Sequence, residues 1–456
     1  MNRQRSGGGA VGTGRVQLGT VIGYGAGDFG LNLFYTGLNL YLLYYYTDVV
    51  GLAPGIAGSL FMVALLWDAV TDPVMGAVAS RTRSPFGRYR PYLLFGGPLL
   101  GASFVLLFAA PVLWPAQPVI ACLLTHLLFR TVYTVFGVPY VSLSAAMTTD
   151  GKTRTSLSGA RMQFATLGAI VTAFLTPWLA EQFANGSLVR GYMVTAVVYA
   201  LFAEAVFLVT FFSVRERADI GIQCPDLMAS MRAVRGNHAF WILFASVVMN
   251  VVASTIFTKS IIYYTRYVIG EAGMVREVLT FYTIAAAAAV FGWTLLARRT
   301  SKTLVLSIGL SLNAVIFLLL FLIAPESKTM FLGFVVMAGI GMAATIVAFW
   351  AMLPDTVEFG EWKTGVRDES IFFGLYQFSQ KAASGLAVGA VGLILQAIGY
   401  VANTDQAAGT LDGLRVLSFA LPAAGMAAAA AIIAFYPMRG DRHSRIVELL
   451  KARGEG

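Results

Sequence analysis

Leu65-Leu66-Trp67-Asp68-Ala69-Val70-Thr71-Asp72-Pro73 places two carboxylates inside a stretch apolar enough to cross a bilayer. On a helix, residues four apart stand one above the other, with β-carbons within about 6 Å, so Asp68 and Asp72 share a face. Each ionised aspartate at membrane depth costs about 2.5 to 3.5 kcal/mol on insertion scales. The pair therefore asks for a bound cation, a proton or a fixed positive partner, and an ion-coupled carrier is the economical reading. The competing reading is a structural pair neutralised by a neighbouring arginine.

Composition agrees with that segment. Of 456 residues, 57% are apolar and 12% charged, against about 25% charged in ordinary soluble domains. The fold class expected is an all-α integral membrane protein. Apolar runs of spanning length recur from residue 18 to residue 436, and they predict twelve transmembrane helices. The longest polar stretch, 215–238, lies midway. The expected organisation is a disordered cytoplasmic arm (1–17), a six-helix bundle (18–214), a central cytoplasmic loop (215–238), a second six-helix bundle (239–437) and a cytoplasmic tail (438–456). Six plus six is the plan of the major facilitator fold.

The formal charge of +9 is not a nucleic-acid signature, because the 32 Lys and Arg are scattered through short loops and the tail. Most of them fall on one set of alternating loops, while the other set carries only Arg190, Arg266, Arg276, Lys328 and Arg415. That bias puts both termini in the cytoplasm of a multi-pass cell-membrane protein of the bacterial inner-membrane type, with lipid around it. Cys122 and Cys224 suggest no disulfide framework. His126, His238 and His443 are dispersed and neither HExxH nor GxSxG occurs, which speaks against an enzyme. No cofactor is called for beyond a coupling Na⁺ or H⁺.

Charged residues within the spans are the candidate chemistry. Two hard carboxylates, Asp68 and Asp72, suit an alkali metal ion or a proton, and Thr134 in the fourth span can add a neutral oxygen. Asp28 lies in Gly23-Tyr24-Gly25-Ala26-Gly27-Asp28 of the first span, where glycines let a helix or a ligand come close. Its carboxylate can accept hydrogen bonds from sugar hydroxyls, or it can simply pair with Arg161. Arg161 offers a planar donor fork to a substrate or a carboxylate, and Lys381 a point charge able to reach Asp68 or Asp72 when the cation leaves. Arg130 and Glu204 read equally well as structural ion-pair partners. Lys259 reads as a snorkelling side chain near a span end. Tyr44, Tyr45 and Tyr46 read as an interfacial belt.

In the loops, the basic segment with Arg88 and Arg90 is opposite in charge to one carrying Asp355, Glu358 and Glu361, with Arg367 close behind. Ion pairs between these segments would hold the cytoplasmic side shut. Plain topology charge and a solvated helix end are the alternative.

At these residues the chain resembles the glycoside, pentoside and hexuronide cation symporters. The likeness runs from about Gly23 to Arg453. It is carried by the Gly-Asp of the first span with Tyr45-Tyr46-Thr47-Asp48-Val49-Val50-Gly51-Leu52, by Trp67-Asp68-Ala69-Val70-Thr71-Asp72-Pro73, by the loop ending Arg90-Pro91, and by Tyr263-Tyr264-Thr265-Arg266-Tyr267 and Glu361-Trp362-Lys363-Thr364-Gly365 with Arg367. The resemblance implies that Asp68, Asp72 and Thr134 hold the cation, that Asp28 and Arg161 contact a sugar-like substrate, and that Lys381 lies near both. Gly137 and Val141 stand where the melibiose carrier of that family has a sugar-binding aspartate and a stacking tryptophan, and Thr71 replaces an asparagine that influences cation choice. Galactoside transport is not expected from such a pocket, although Pro139 and Tyr140 predict that a helix break there is kept. The resemblance thus implies Na⁺- or H⁺-coupled symport of a sugar or glycoside-like solute; the alternative cargo on the same fold is a lysolipid or other amphiphile.

Overall fold

The computed structural model describes residues 17–148, 151–216, 231–232, 234–271, 273–325, 327–365, 369–438 and 442–454. They are helical throughout, with no strand among the described residues. The first six helices are α1 (Leu18–Tyr44), α2 (Pro54–Arg81), α3 (Arg90–Leu113), α4 (Pro118–Met147), α5 (Gly151–Gln182) and α6 (Leu188–Ser213). After the polar stretch come α7 (His238–Tyr263), α8 (Met274–Arg299), α9 (Lys302–Ile323), α10 (Lys328–Thr364) and α11 (Glu369–Ala397). Then follow α12, which starts at Ala408 and runs through a π-helical turn to Ile433, and a short terminal helix α13 (Arg442–Gly454). Eleven helices among the described residues, beginning with α2, are long and apolar enough to cross a membrane. With no water in a bilayer to satisfy exposed N–H and C=O groups, helices that bond internally are what such a sequence can form.

Within the first six, α1 packs on α5 and α6, α2 on α4, and α3 on α4 and α6; within the next six, α7 packs on α11 and α12, and α10 on α8 and α9. Between the sets, the main contacts join α2 to α11 and α5 to α8. The α2–α11 crossing is close because glycines meet there: a β-carbon on Gly58 would lie 2.9 Å from the Gly392 α-carbon. Small residues that let backbones approach are the usual currency of such crossings in membranes.

Two expectations fail here. Tyr45 and Tyr46 are fully buried and Tyr44 is 8% exposed, so they are not an interfacial belt. Their hydroxyls explain it: Tyr45 donates to the Phe108 carbonyl at 2.6 Å and Tyr46 to that of Cys122 at 3.4 Å, which fastens the end of α1 to α3 and α4. Nor does Pro139 break α4, which continues to Met147.

The chain ends of α1 and α7 are built alike. Each passes into a π-helical turn, Tyr45–Val49 and Tyr264–Val268, and each is closed soon after by a glycine at φ +82°, Gly51 and Gly270. We call the side where α1 begins the near side and the side where these turns lie the far side.

Candidate cation and substrate site

Asp68 and Asp72 do stack on one face of α2, and Thr134 of α4 faces both. Its Oγ1 is 2.8 Å from Asp68 Oδ1 and 2.9 Å from Asp72 Oδ1. A hydroxyl has one proton to donate, so with both carboxylates ionised one of those contacts has no hydrogen in it. Three oxygens converging with one proton between them form a set that a monovalent cation or an added proton completes. The other carboxylate oxygens turn to Lys381 of α11, whose Nζ is 2.9 Å from Asp68 Oδ2 and also bonds Asp72 Oδ2. Arg130, one turn before Thr134, places Nη1 3.6 Å from Asp68 Oδ2. Two carboxylates thus face two cations, and the site is charge-balanced. The arginine contact is long and touches one carboxylate only, so Asp72 is not locked to it. Asp68 is almost fully buried, whereas Asp72 and Lys381 keep 30% and 25% of their side chains exposed. An opening reaches the site past that partly exposed pair.

The second polar group lies nearer the start of α1. Arg161 of α5 grips Asp28 through Nε to Oδ2 and, at 3.4 Å, through Nη2 to Oδ1. Tyr24 and Tyr140 brace it: the guanidinium carbon is 5.9 Å and 5.2 Å from their ring centroids. The two tyrosines bond each other's helix, Tyr24 to the Tyr140 carbonyl at 3.1 Å and Tyr140 to that of Tyr24. Gly27 makes room for this, since a β-carbon there would come 2.7 Å from the Tyr140 ring. Gly137 lies one turn beyond Thr134 on α4, and Val141 a turn further, with 48% of its surface exposed. Helix α4 therefore carries Arg130 and Thr134 of the cation group and Gly137 and Val141 of the candidate substrate face on consecutive turns. Tyr35 stands beside them, stacked on Tyr133 at 6.0 Å.

Two of the acidic residues expected at the gate, Asp355 and Glu358, have partners other than the basic loop in this conformation. Asp355 pairs with Lys302 at 2.7 Å and lies 3.5 Å from His443, and Glu358 meets His443 at 2.7 Å. Across the molecule, the amides of Arg88, Tyr89 and Arg90 donate to Glu216 at 2.8, 2.7 and 3.0 Å, and the Arg90 guanidinium bonds the Phe211 carbonyl at 3.1 Å. Asp355 and Glu358 thus meet bases of the second set of helices, and the backbone of the basic loop meets Glu216 of the first. Glu361 sits at the end of α10, where its carbonyl accepts from the Gly365 amide; Arg367 lies outside the described residues.

What joins the two sets instead is a hydrogen-bonded hub on the far side. Asp48 Oδ1 accepts from Tyr400 at 2.8 Å and from Tyr267, Oδ2 from Thr47 at 2.7 Å, and the Asp48 carbonyl from Asn403 at 2.7 Å. Thr47 also meets the Tyr263 hydroxyl at 2.8 Å. Sequence reading missed this role for Asp48 and for its tyrosines. The signal was present: residues 44–51 and 263–270 match as a repeat, each tyrosine-rich and closed by glycine, and their equivalent positions Asp48 and Tyr267 bond one another. Lys259 was also misplaced. It is 4% exposed, inserted from α7 against the Phe61 ring and the Asn39 carbonyl, because α1 and α2 pack over it. His443, which looked isolated, stands with Asp355 and Glu358.

A bundle of apolar helices around an ion-paired polar interior is the construction of a membrane carrier. The chain belongs to the MFS/sugar transport protein family, whose model matches residues 23–440. It is 29% identical over 433 residues to the glucuronide carrier protein homolog of Escherichia coli (strain K12), covering 94% of each chain. It is 29% identical to the isoprimeverose transporter of Lactiplantibacillus pentosus, covering 91% of this chain and 87% of that one. A bacterial homolog of the human lysosomal transporter Spinster, solved inward-facing and unoccupied, shares the fold with a TM-score of 0.69 over 91% of this chain and 95% of that one, at 14% identity. The resemblance to the glycoside, pentoside and hexuronide symporters holds, and the family is one of transporters, not enzymes.

Proposed function

We propose that this protein is a secondary transporter that couples entry of a monovalent cation, Na⁺ or H⁺, to symport of a sugar or glycoside-like solute. The observation that carries the reading is the division of four carboxylate oxygens: the Oδ1 pair converges on Thr134 and the Oδ2 pair on Lys381. In this reading the lysine ammonium stands in for the cation in the empty carrier. It neutralises the pocket for the return step, and an arriving cation displaces it. The empty carrier opens its far side by parting α11 from α2 at the Gly58–Gly392 crossing, and the entering cation then takes the place of the lysine between the two aspartates. The same cation orders α4 through Thr134, so Gly137 and Val141 take their places for substrate beside Asp28 and Arg161. By linkage, the substrate tightens the cation by the factor that the cation tightens the substrate.

The finer architecture belongs to the same proposal. Helix α1 is a twelfth crossing element, residues 18–214 and 239–437 form two six-helix halves that rock about the site, and both termini are cytoplasmic. The near side is then the cytoplasmic side, and the structure stands inward-facing with its far side shut. The relatives' cargoes, a glucuronide and isoprimeverose by their names, favour a sugar-like substrate. Uptake of labelled glycosides, pentoses and uronic acids into vesicles, with and without an imposed Na⁺ or H⁺ gradient, tests it. Accumulation is expected only with one of the gradients, and Asp72→Asn is expected to abolish it. Accumulation that survives Asp72→Asn with the same gradient dependence would sink the cation site.

A further inference from the structure

On the far side of Asp68 lies a buried cluster of basic side chains that the proposed binding sites do not use. Arg130, His126 and Lys259 are 1%, 0% and 4% exposed. They share the ring of Phe61: the Lys259 ammonium is 4.3 Å from its centroid, the Arg130 guanidinium carbon 5.8 Å, and the His126 ring meets it edge-on at 5.2 Å. Phe61 is seven residues before Asp68 on α2, about 10 Å along the helix axis. Arg130 bridges that interval, since its Nη1 also reaches Asp68.

Acceptors are scarce in the cluster. Arg130 Nη2 and His126 Nδ1 are buried with no hydrogen-bond partner, and Arg130 Nε has a long bond of 3.4 Å to His126 Nε2. Asp68 is the one carboxylate that these contacts reach. Ownership matters too: Phe61, His126 and Arg130 belong to α2 and α4, whereas Lys259 enters from α7, on the other set of helices, and is held by the Asn39 carbonyl of α1. Any parting of the two sets of helices on the far side would carry Lys259 away from Phe61 with α7.

We propose that Lys259 is a conformation-dependent positive charge that lowers the alkali-cation affinity of Asp68 and Asp72 when the far side closes. The inference rests on the reading of those two residues as the cation site. Like charges buried in a medium of low dielectric repel strongly. As α7 seats Lys259 next to Arg130, the guanidinium is pressed onto Asp68. At the same moment α11 delivers Lys381 to both carboxylates. A cation carried in from the far side then competes with internal charges and is expelled to the near side. When the far side opens, Lys259 and Lys381 withdraw with their helices, and Arg130 alone remains. Lys259 is a positioning residue: it acts on the cation through Arg130.

The test holds the conformation fixed, so that an altered balance between open and shut states cannot mimic the effect. Gly55 of α2 faces the Gln396 side chain of α11 on the far side, so a short bifunctional thiol crosslinker joining cysteines in the Gly55→Cys, Gln396→Cys variant locks the far side shut. Equilibrium binding of radiolabelled Na⁺ to the locked, purified protein is then measured in five further backgrounds. Lys259→Met and Lys259→Gln are each expected to bind Na⁺ at least about threefold tighter than the locked parent, because a nearby buried charge has gone. Lys259→Arg, which keeps the charge, is expected within about twofold of the parent. Tyr263→Phe, which removes a far-side contact with Thr47 without touching charge, is expected to change nothing. Parent-like affinity in both neutral Lys259 variants would overturn the proposal while leaving the cation site standing, provided Asp72→Asn abolishes binding in the same lock. Where the locked parent binds Na⁺ too weakly to measure, measurable binding gained in both neutral Lys259 variants is the expected result, and binding that stays unmeasurable in both would overturn the proposal.

Discussion

Two of the polar contacts between the two sets of helices are chemically unlike. On the far side, one buried carboxylate, that of Asp48, accepts from the hydroxyls of Tyr400, Tyr267 and Thr47, while the Asn403 amide holds the Asp48 main-chain carbonyl. In mid-span, two carboxylates are held by a lysine and a long arginine contact. Hydrogen bonds to hydroxyls can be exchanged for water one at a time as a cleft opens, each at a net cost of about 0.5 to 1.5 kcal/mol. The mid-span contact has no such route. Withdrawing Lys381 without replacement would leave uncompensated charge in a poorly hydrated place. The far-side hub therefore suits a seal, and the mid-span group suits a coupling site where the lysine and a cation exchange places.

The largest expected effect is on the charged contact. Asp68→Ala strands the buried Arg130 and leaves Lys381 with Asp72 alone, and removal of one partner from a buried ion pair costs about 3 to 5 kcal/mol. Thermal unfolding of the purified protein reads this as a marked fall in melting temperature. A melting temperature equal to the parent's would erase the contrast, since the mid-span group would then be as cheaply parted as the seal.

Next comes the hub. Asp48→Leu removes the acceptor of Tyr267 and Tyr400 together, and should move the balance toward the open far side about tenfold, equivalent to about 1.4 kcal/mol. A cysteine in place of Ile262, which is 2% exposed beside the hub, should then react faster with a membrane-impermeant thiol reagent. Unchanged reactivity would mean that the seal lies elsewhere.

A smaller effect sharpens the same point. Tyr267→Phe and Tyr400→Phe each lose one bond to Asp48 Oδ1, about 0.5 to 1.5 kcal/mol apiece. Because they share that oxygen, the double variant should depart from the sum of the singles by about 0.5 kcal/mol or more in the labelling equilibrium. Additive losses would show two independent latches.

The smallest effect belongs to the near side. Lys302 is 38% exposed where it pairs with Asp355, so Lys302→Met should cost less than about 1 kcal/mol in unfolding experiments. A larger loss would make that end a structural clamp and not a loosely satisfied helix terminus.

The helices, their approximate ends and the polar residues within them were legible in the sequence, because apolar run length and the cost of a buried charge are local properties of the chain. So was the stacking of Asp68 on Asp72, which needs only helical periodicity. Apart from the unbroken helix at Pro139, the failures were of placement. Tyr44, Tyr45 and Tyr46 read as an interfacial belt because tyrosine favours an interface, yet the carbonyls of Phe108 and Cys122 draw two of those hydroxyls inward. Lys259 read as snorkelling because its position is near a helix end, yet α1 and α2 cover it.

Sequence by itself determined that carboxylates and bases would be buried in a membrane bundle, since hydropathy and spacing are written residue by residue. Which base meets which carboxylate was decided only by the tertiary structure. Lys381 lies 309 positions from Asp72, Tyr400 lies 352 from Asp48, and Asp355 turned to Lys302 instead of the basic loop. Partners at that separation are chosen by how helices cross and by which end of the bundle is shut, and neither is a property of any local stretch of chain.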